Sequence, residues 1–138
     1  MSKFRSIILI LIFLLISGCV FNEDPRSMAS TEIQISYDGE QCQPFESFIP
    51  LGENIELTLI NGSEKNLNWY LIFQPFTGEF EDQDPENILA FASSPANQTT
   101  STEFKAPYLP GKYSSFCVAD NNFENLALIY ILVVEPYK

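Results

Sequence analysis

Residues 104–117 read FKAPYLPGKYSSFC, a stretch in which prolines and a Pro-Gly pair divide two runs of strand-forming residues. The prolines cannot donate hydrogen bonds to a β-ladder, and Gly111 accepts turn conformations without steric cost. The segments on either side, residues 98–105 and 112–118, are therefore predicted as two strands joined by a proline-rich loop.

Strand patterns of the same kind occupy the chain on both sides of this stretch. Apolar and polar residues alternate in residues 31–37 (TEIQISY) and 55–59 (IELTL), so each segment can bury one face. Further strands are predicted at residues 45–49, at residues 67–76 as a central strand, and at residues 126–135. The last of these, LALIYILVVE, is almost continuously apolar, which is typical of a strand covered on both faces or lying deep in a sandwich. The pattern predicts an all-β fold.

Two turns and one helical segment separate these strands. Residues 50–53 (PLGE) predict one turn, and Asn61-Gly62-Ser63 predicts another, whose glycine is able to take a positive φ. Within residues 77–97, Asp84-Pro85-Glu86 is a favourable helix start, with an N-cap side chain, a proline at the first helical position and an early carboxylate. One or two helical turns are therefore expected in this segment.

The same segment carries a cluster of acidic side chains. Calcium binds several carboxylate oxygens, but the spacing here does not match the calcium-loop pattern D-x-[DN]-x-[DN]-G. The favoured interpretation is therefore a solvated loop. The acidic residues are Glu79, Glu81, Asp82, Asp84 and Glu86.

The composition excludes several classes of function. A chain of 138 residues with 46% apolar and 18% charged residues has the size of one domain with a globular core. The absence of histidine removes the commonest zinc and copper ligand, the usual general base and every Ser/His or Cys/His nucleophile pair. A net charge of -11 disfavours nucleic acid as a partner. No paired-carboxylate, phosphate-loop or nucleophile motif is present, so we predict a protein that is not an enzyme and holds no cofactor.

The start of the chain has the layout of a signal peptide: two basic residues, an apolar run over residues 7–16, and small residues before Cys19. The run has about ten residues, whereas a transmembrane helix needs roughly 20, so a permanent membrane span is the weaker alternative. The ending Ile16-Ser17-Gly18-Cys19 resembles the bacterial lipobox, in which the cysteine receives lipid and becomes the mature N-terminus. An ordinary signal peptide with a chance cysteine would instead leave an exposed, unpartnered thiol.

These features predict three parts of the chain: a lipoprotein signal peptide at residues 1–18, a tether at residues 19–30 and one domain at residues 31–138. The lipid on Cys19 would hold the protein on the extracytoplasmic side of a bacterial membrane. The protein surface cannot do so, because anionic headgroups repel an acidic chain. The membrane is therefore the expected partner, and the sequence names no protein partner.

Residues 104–107 (FKAP), 110–113 (PGKY) and Phe116-Cys117 resemble the C-terminal half of cupredoxins, the small blue-copper β-sandwiches. Residues 44–53 resemble the second strand of that family with its P-x-G-E turn, and residues 122–134 resemble its closing loop and last strand. The resemblance covers nearly the whole predicted domain. It implies a cupredoxin-like Greek-key β-sandwich of about seven to eight strands with one short helix.

The blue-copper site of cupredoxins uses two histidines and one cysteine thiolate in a trigonal arrangement, with a weak axial methionine. By position, the resemblance places Leu67 and Asn122 where the histidines stand, Cys117 at the cysteine and Ala127 at the methionine. One of the four ligands remains. The resemblance therefore implies that the copper site has been lost and that the chain binds no metal.

The resemblance also implies a partner for Cys117. Cys42 stands two residues before Pro44, and the resemblance places it too in the family's second strand, whose inward residues approach the strand of the copper cysteine in that fold. Disulfides persist outside the cytoplasm, and the three cysteines without the lipidated Cys19 leave one pair. A Cys42–Cys117 disulfide is therefore expected, and the alternative is two buried free thiols that pack as small apolar groups.

Aromatic residues near these positions have two interpretations. Trp69 and Tyr113 are predicted to pack in the core, with the Tyr113 hydroxyl bonded to the backbone. Alternatively, Trp69, Tyr70 and Tyr108 form an aromatic contact surface at the end where cupredoxins meet partners.

Together these inferences predict a membrane-anchored, non-enzymatic binding or structural module on a cupredoxin-like sandwich without copper. The alternative is an electron-transfer protein, either a dithiol/disulfide carrier that uses Cys42 and Cys117 or a copper cupredoxin. The chain has no Cys-x-x-Cys motif and no basic residue near Cys117 that would lower a thiol pKa, which weighs against the dithiol carrier.

Overall fold

The computed structural model of the protein describes residues 23–73 and 85–136, and most of the regular structure in these ranges is β-strand. No helix within them is long and apolar enough to cross a membrane. Three short 3-10 helices cover Pro25–Met28, Pro85–Asn87 and Phe123–Asn125. The strands in the described residues are β1 (Glu32–Tyr37), β2 (Cys42–Gln43), β3 (Glu46–Pro50), β4 (Asn54–Asn61), β5 (Leu67–Ile72), β6 (Ile88–Ser94), β7 (Thr99–Lys105), β8 (Gly111–Ala119) and β9 (Ala127–Val134).

The strands form two sheets that pack face to face. One sheet has the order β2-β1-β4-β7, and the other has the order β3-β9-β8-β5-β6. β1 is parallel to β4 and β3 is parallel to β9, while the remaining pairs are antiparallel. The predicted all-β sandwich is confirmed, with nine strands in the described residues where about seven to eight were expected.

Apolar side chains, which alternate with polar ones along the strands, fill the space between the two sheets. In β4, Ile55, Leu57 and Leu59 are fully buried, and the residues between them are exposed or half-buried. The facing sheet contributes side chains such as Trp69 and Ile131, which are also fully buried. Each large aliphatic side chain buried in this way stabilises the fold by roughly 1.5–3 kcal/mol, so the core is the main source of stability.

The outward face of the five-stranded sheet carries a second, smaller apolar cluster. Tyr70, Ile72, Phe116 and Val118 are buried there. The inward residues of β9 are buried in the main core, whereas its outward residues are only half-buried. β9 does not have two fully covered faces, so the first explanation for its apolar run does not hold. The strand lies inside the sheet, between β3 and β8, which agrees with the second explanation, a deep position.

Residues 88–94 form a strand where helical turns were expected, which corrects the prediction for this segment. The predicted helix start produces only the 3-10 helix Pro85–Asn87, and β6 follows at once. β6 pairs with β5, and Ala90, Ala92 and Ser94 face the core. The inward residues of this edge strand are small, so the apolar alternation that marks a strand is weak in the sequence.

Gly62 does not use the positive φ that a glycine is able to take. A Cβ atom at this position would lie 3.1 Å from the carbonyl oxygen of Tyr37, and the Gly62 N–H donates to the same oxygen at 2.8 Å. Glycine suits this position because two backbones approach closely and a side chain would make a tight contact. In the other predicted turn, Gly52 does adopt a positive φ of 65°.

The sandwich has two ends, which we name the tether end and the cleft end. At the tether end, β8 begins at Gly111, while β3 and β9 finish at Pro50 and Val134. At the cleft end, β5 begins at Leu67 opposite Ala119, the last residue of β8.

Candidate functional site

A disulfide between Cys42 and Cys117 ties the two sheets together, as predicted. Cys42 lies in β2 at the edge of the four-stranded sheet, whereas Cys117 lies in β8 at the centre of the other sheet. Their Cα atoms are 6.3 Å apart, and the two residues are 5% and 0% exposed. The disulfide is therefore a sealed cross-link between the sheets, near the cleft end.

The four positions that the resemblance assigns to copper ligands lie at this end. Leu67 is fully buried at the start of β5. Ala127 pairs with Cys117 across the ladder between β8 and β9. Asn122 follows β8, and its side-chain oxygen accepts a hydrogen bond from the backbone of the Phe123–Asn125 helix at 3.2 Å.

The residues at these positions do not fit a blue-copper ion. The side chains of Leu67 and Ala127 are hydrocarbon, and the sulfur of Cys117 is bonded to another sulfur. Copper of this type needs a thiolate and two imidazoles in one trigonal set. Across residues 23–73 and 85–136, no group of three or more His, Cys, Asp or Glu side chains is placed to hold a metal ion.

A polar cleft of about 330 Å³ opens at the same end. Its walls come from the turn after β1, the loop between β4 and β5, and the loop after β8. Its polar lining residues are Lys65, Glu40, Asn122 and Asn125. Tyr37, Gly39 and Ala119 complete its lining.

The turn after β1 is built by the side chain of Asp38. Its Oδ1 atom accepts hydrogen bonds from the backbone N–H groups of Gln41 and Glu40, each at 2.8 Å, which lowers the pKa of Asp38. Gly39 permits the bend with a φ of 109°, and the Tyr37 hydroxyl donates to the Gly39 carbonyl oxygen at 2.8 Å. Burial raises the pKa of Tyr37, and the carboxylates of Asp38 and Glu40 add to the rise. This network places Glu40 at the cleft.

The loop between β4 and β5 is organised by the buried side chain of Asn61. Its Nδ2 atom donates to the backbone oxygens of Lys65, Ser94 and Pro95 at 2.7, 3.1 and 3.0 Å. Its Oδ1 atom accepts from the N–H and the hydroxyl of Ser63 at 3.0 and 2.8 Å. One carboxamide therefore holds the backbone of Lys65 and ties this loop to the end of β6.

The loop after β8 is held against the start of β5. Asp120 Oδ1 accepts from the Asn66 N–H at 3.0 Å, and the Asp120 N–H donates to the Asn66 carbonyl oxygen at 2.8 Å. The side chain of Asn68 donates to that of Asn121 at 2.6 Å. Asp120 and Asn121 both have positive φ, 48° and 57°, which Asp and Asn tolerate better than most residues. The loop thereby turns Asn122 toward the cleft.

This cleft has no marker in the local sequence. Its polar residues belong to three separate turns, and each turn by itself is an ordinary connection between strands. The available signal is that residues 38–40, 61–63 and 120–122 each combine Asp, Asn, Gly or Ser beside an apolar strand. Only the strand order shows that these turns meet at one end.

Trp69 and Tyr113 are core residues, as predicted. Trp69 is fully buried and packs against Phe104 with ring centroids 5.5 Å apart. The Tyr113 hydroxyl donates to the carbonyl oxygen of Leu109 at 2.8 Å. Tyr108 precedes β8 at the tether end, whereas the ligand positions lie at the cleft end. The alternative of an aromatic surface that Trp69 and Tyr108 share at the cleft end is therefore wrong.

Two buried polar atoms beside the disulfide lack a hydrogen-bond partner in the described part of the chain. They are Trp69 Nε1 and Ser115 Oγ. Trp69 pairs with Cys117 across the ladder between β5 and β8, and Ser115 lies two residues before that cysteine. An unsatisfied buried polar group costs about 1–3 kcal/mol, so this part of the core is not fully optimised for stability.

Several predicted features lie outside the described residues. They are the signal peptide at residues 1–18, the lipidated Cys19, the first residues of the tether and the acidic residues of segment 79–84. Their structural interpretation stays a prediction. The described part of the tether contains the 3-10 helix Pro25–Met28, whose N-terminus is capped by Asp24.

No protein-family model and no curated protein matches the chain. Among solved structures, an auracyanin from Roseiflexus castenholzii is 23% identical, covers 77% of this chain and 98% of its own, and superposes with a TM-score of 0.63. Auracyanin A, a "blue" copper protein from Chloroflexus aurantiacus, is 22% identical, with coverages of 75% and 98% and a TM-score of 0.61. Auracyanin B is 17% identical, with coverages of 85% and 95% and a TM-score of 0.62. The chain folds as a cupredoxin-like β-sandwich.

Proposed function

We propose that this protein is a lipid-anchored, extracytoplasmic binding module that neither carries electrons through copper nor catalyses a reaction. The observation that supports the proposal is the state of Cys117, whose sulfur is bonded to Cys42. Leu67 and Ala127 supply no donor atom at two further ligand positions. A blue-copper site requires a cysteine thiolate. Because the Cys117 sulfur is held in a disulfide, the last family ligand that this chain retains is not available to copper.

The cleft at the same end supplies the binding surface. Glu40 and Lys65 place opposite charges on one concavity, and Asn122 and Asn125 add amide donors and acceptors. A small polar ligand or peptide segment that carries both an anionic and a cationic group matches this set of side chains.

Titration with Cu(II) of the full-length protein, first reduced and then freed of reductant, tests the loss of the copper site. No intense blue absorption is expected, because that band needs a thiolate and imidazole partners on the same Cu(II) ion. A stoichiometric blue complex in the wild-type chain would overturn the proposal.

A restored site tests whether the ligand positions are assigned correctly. Leu67→His, Asn122→His and Ala127→Met, combined with Cys42→Ser to free the thiol, should produce blue copper binding. The matched control replaces Asn122→His by Asn121→His, which moves one imidazole by a single residue and should stay colourless. Equal colour in both variants would show that the positional assignment is wrong.

Mass spectrometry of the expressed protein tests the anchor. A mature N-terminus at Cys19 that carries lipid is expected, and Cys19→Ala should release the protein or leave the precursor uncleaved. An unlipidated, freely soluble wild-type chain would remove the membrane from the proposal.

Titration with a zwitterionic dipeptide, glycylglycine, tests the cleft. Lys65→Met and Glu40→Gln should each weaken binding at least about tenfold, the loss expected for a charge-assisted hydrogen bond. Lys105→Met changes the same charge at the tether end and should leave binding unchanged. Absence of binding to the wild-type protein, or equal losses in all three variants, would reject this ligand class for the cleft.

The disulfide itself favours one other candidate, a dithiol/disulfide carrier. Such a carrier needs its sulfurs accessible to a thiolate, because exchange proceeds through direct attack on one sulfur. The two cysteines are nearly or fully buried, which supports a structural cross-link instead. The reduction experiment in the Discussion separates the two functions.

A further inference from the structure

The loop between β7 and β8 presents two large apolar side chains to solvent. Tyr108 is 71% exposed and Leu109 is 62% exposed, the highest values for large apolar residues in the described part of the chain. Leu51, in the turn after β3, is partly buried and packs against the main core. The fold thus exposes an apolar tip, defined as Tyr108 and Leu109.

This apolar tip is held in place by hydrogen bonds and close packing. The Gly52 N–H donates to the Pro107 carbonyl oxygen at 3.1 Å, and the Tyr113 hydroxyl donates to the Leu109 carbonyl oxygen at 2.8 Å. A Cβ atom at Gly52 would lie 3.0 Å from the Tyr108 ring, so the ring rests directly on the glycine backbone. The fold therefore holds the loop in a fixed position while leaving both side chains exposed.

The apolar tip lies beside the segment that leads to the predicted anchor. Pro110, the residue after the tip, lines a shallow groove together with Asp24, Pro25 and Arg26 of the tether. The described chain begins at residue 23, four residues after Cys19. Four extended residues span at most about 14 Å, so a lipid on Cys19 would keep the tether end close to the bilayer surface.

We propose that Tyr108 and Leu109 insert into the membrane interface and fix the orientation of the domain. The proposal rests on the lipid anchor of the proposed function. Tyrosine, with an apolar ring and a polar hydroxyl, is enriched at membrane interfaces, and leucine adds a purely apolar contact. The apolar tip therefore contacts the lipid headgroup region.

This orientation directs the cleft away from the membrane. β8 runs from the tether end to the cleft end over the nine residues Gly111–Ala119, about 25–30 Å at the rise of a β-strand. The cleft between Glu40 and Lys65 would then stand above the headgroups, open to ligands in the extracytoplasmic space.

Quenching by brominated lipids tests the insertion. The full-length, lipidated protein is reconstituted into phosphatidylcholine vesicles with bromine on the upper acyl carbons, as the variant Leu109→Trp. The matched control is Phe45→Trp, because Phe45 is similarly exposed at 60% and lines a shallow pocket with Cys42 and Ala127 near the cleft end. The wild-type protein, whose Trp69 is fully buried, gives the baseline.

The indole introduced at position 109 is expected to lose about half of its emission, because interfacial side chains reach about 5–10 Å into the headgroup and acyl boundary. The indole at position 45 should behave as the baseline does. Equal quenching at both positions, or none at position 109, would overturn the orientation while leaving the anchor intact. A blue-shifted but unquenched indole at position 109 would also overturn it, since the tip would then be covered by protein.

The anchor is checked separately by flotation of the same samples with the vesicles. Protein that does not float contradicts the lipid anchor and, with it, the premise of the orientation. Protein that floats but shows no difference between positions 109 and 45 contradicts the orientation alone.

Discussion

Removing the Cys42–Cys117 disulfide is expected to lower the free energy of unfolding by about 4–5 kcal/mol. The two cysteines are separated by 75 residues. In the chain-entropy account, cross-linking a loop of that length removes about 15 cal/mol/K from the unfolded chain, or about 4.5 kcal/mol at 25 °C. Domains of this size have a total stability of about 5–15 kcal/mol, so the loss would be a large fraction of the whole.

Urea unfolding of three samples measures this effect. They are the oxidised protein, the protein reduced after unfolding and refolded in reductant, and the variant Cys42→Ala/Cys117→Ala. The reduced protein loses the cross-link but keeps both sulfur atoms in the core, so its difference from the double variant isolates the packing contribution. In the native state, mild reductant should leave the bridge closed because Cys42 and Cys117 are 5% and 0% exposed.

Two results would refute this reasoning. A loss below about 1 kcal/mol in both cross-link-free samples would show that loop closure contributes little here. Rapid opening of the bridge in the folded protein, at a potential near that of a cellular thiol buffer, would show that the sulfurs are accessible. The second result would support a dithiol/disulfide carrier in place of a structural cross-link.

Three further predictions concern single side chains, each measured by urea unfolding. Ser115→Ala should leave stability unchanged or raise it by up to about 1 kcal/mol, because its buried hydroxyl has no partner among the described residues. Ser94→Ala should lower stability by about 1–2 kcal/mol, because the equally buried Ser94 hydroxyl donates to a backbone oxygen at 2.9 Å. Equal effects of the two substitutions would contradict the assignment. Asn61→Ala should cost about 3 kcal/mol or more, since it leaves several backbone groups without their partner, and a loss under about 1 kcal/mol would show that water replaces the carboxamide. The pKa of Asp38 is lowered in the folded protein, so its contribution to stability is present above the ordinary pKa of 3.8 and is lost as the pH falls through the folded value. Asp38→Asn should therefore flatten the stability profile below pH 3.8, and an unchanged profile would contradict this role.

The strands with clear alternation were predictable because the signal is local. In residues 31–37 and 55–59, each inward side chain is large and apolar and its neighbours are polar, so burial on one face follows from the period of two. β6 escaped prediction because Ala90, Ala92 and Ser94 face the core with little apolar contrast. β6 is a strand because it pairs with β5. The two strands are separated in the sequence by more than ten residues, so this pairing cannot be read from the local pattern of β6.

The cysteine pair was predictable for a different reason. A count of three cysteines, one of them at the lipobox, leaves a single pairing, and the resemblance to cupredoxins places both members near each other. The same resemblance located Leu67, Asn122 and Ala127, which the structure brings to one end with Cys117.

By itself, the sequence determined the all-β character of the chain and most of its strands, because these depend on residue type and period; the cysteine pair was expected from the cysteine count together with the resemblance. Only the tertiary structure decided that Glu40, Lys65 and Asn122 share a cleft at one end of the sandwich, and that Tyr108 lies at the other. The physical reason is that a strand alternation specifies which face of a segment is buried, but not which strand lies next to it. Strand order is set by non-local pairing, such as β1 with β4 and β3 with β9, and that order brings distant turns to a common end.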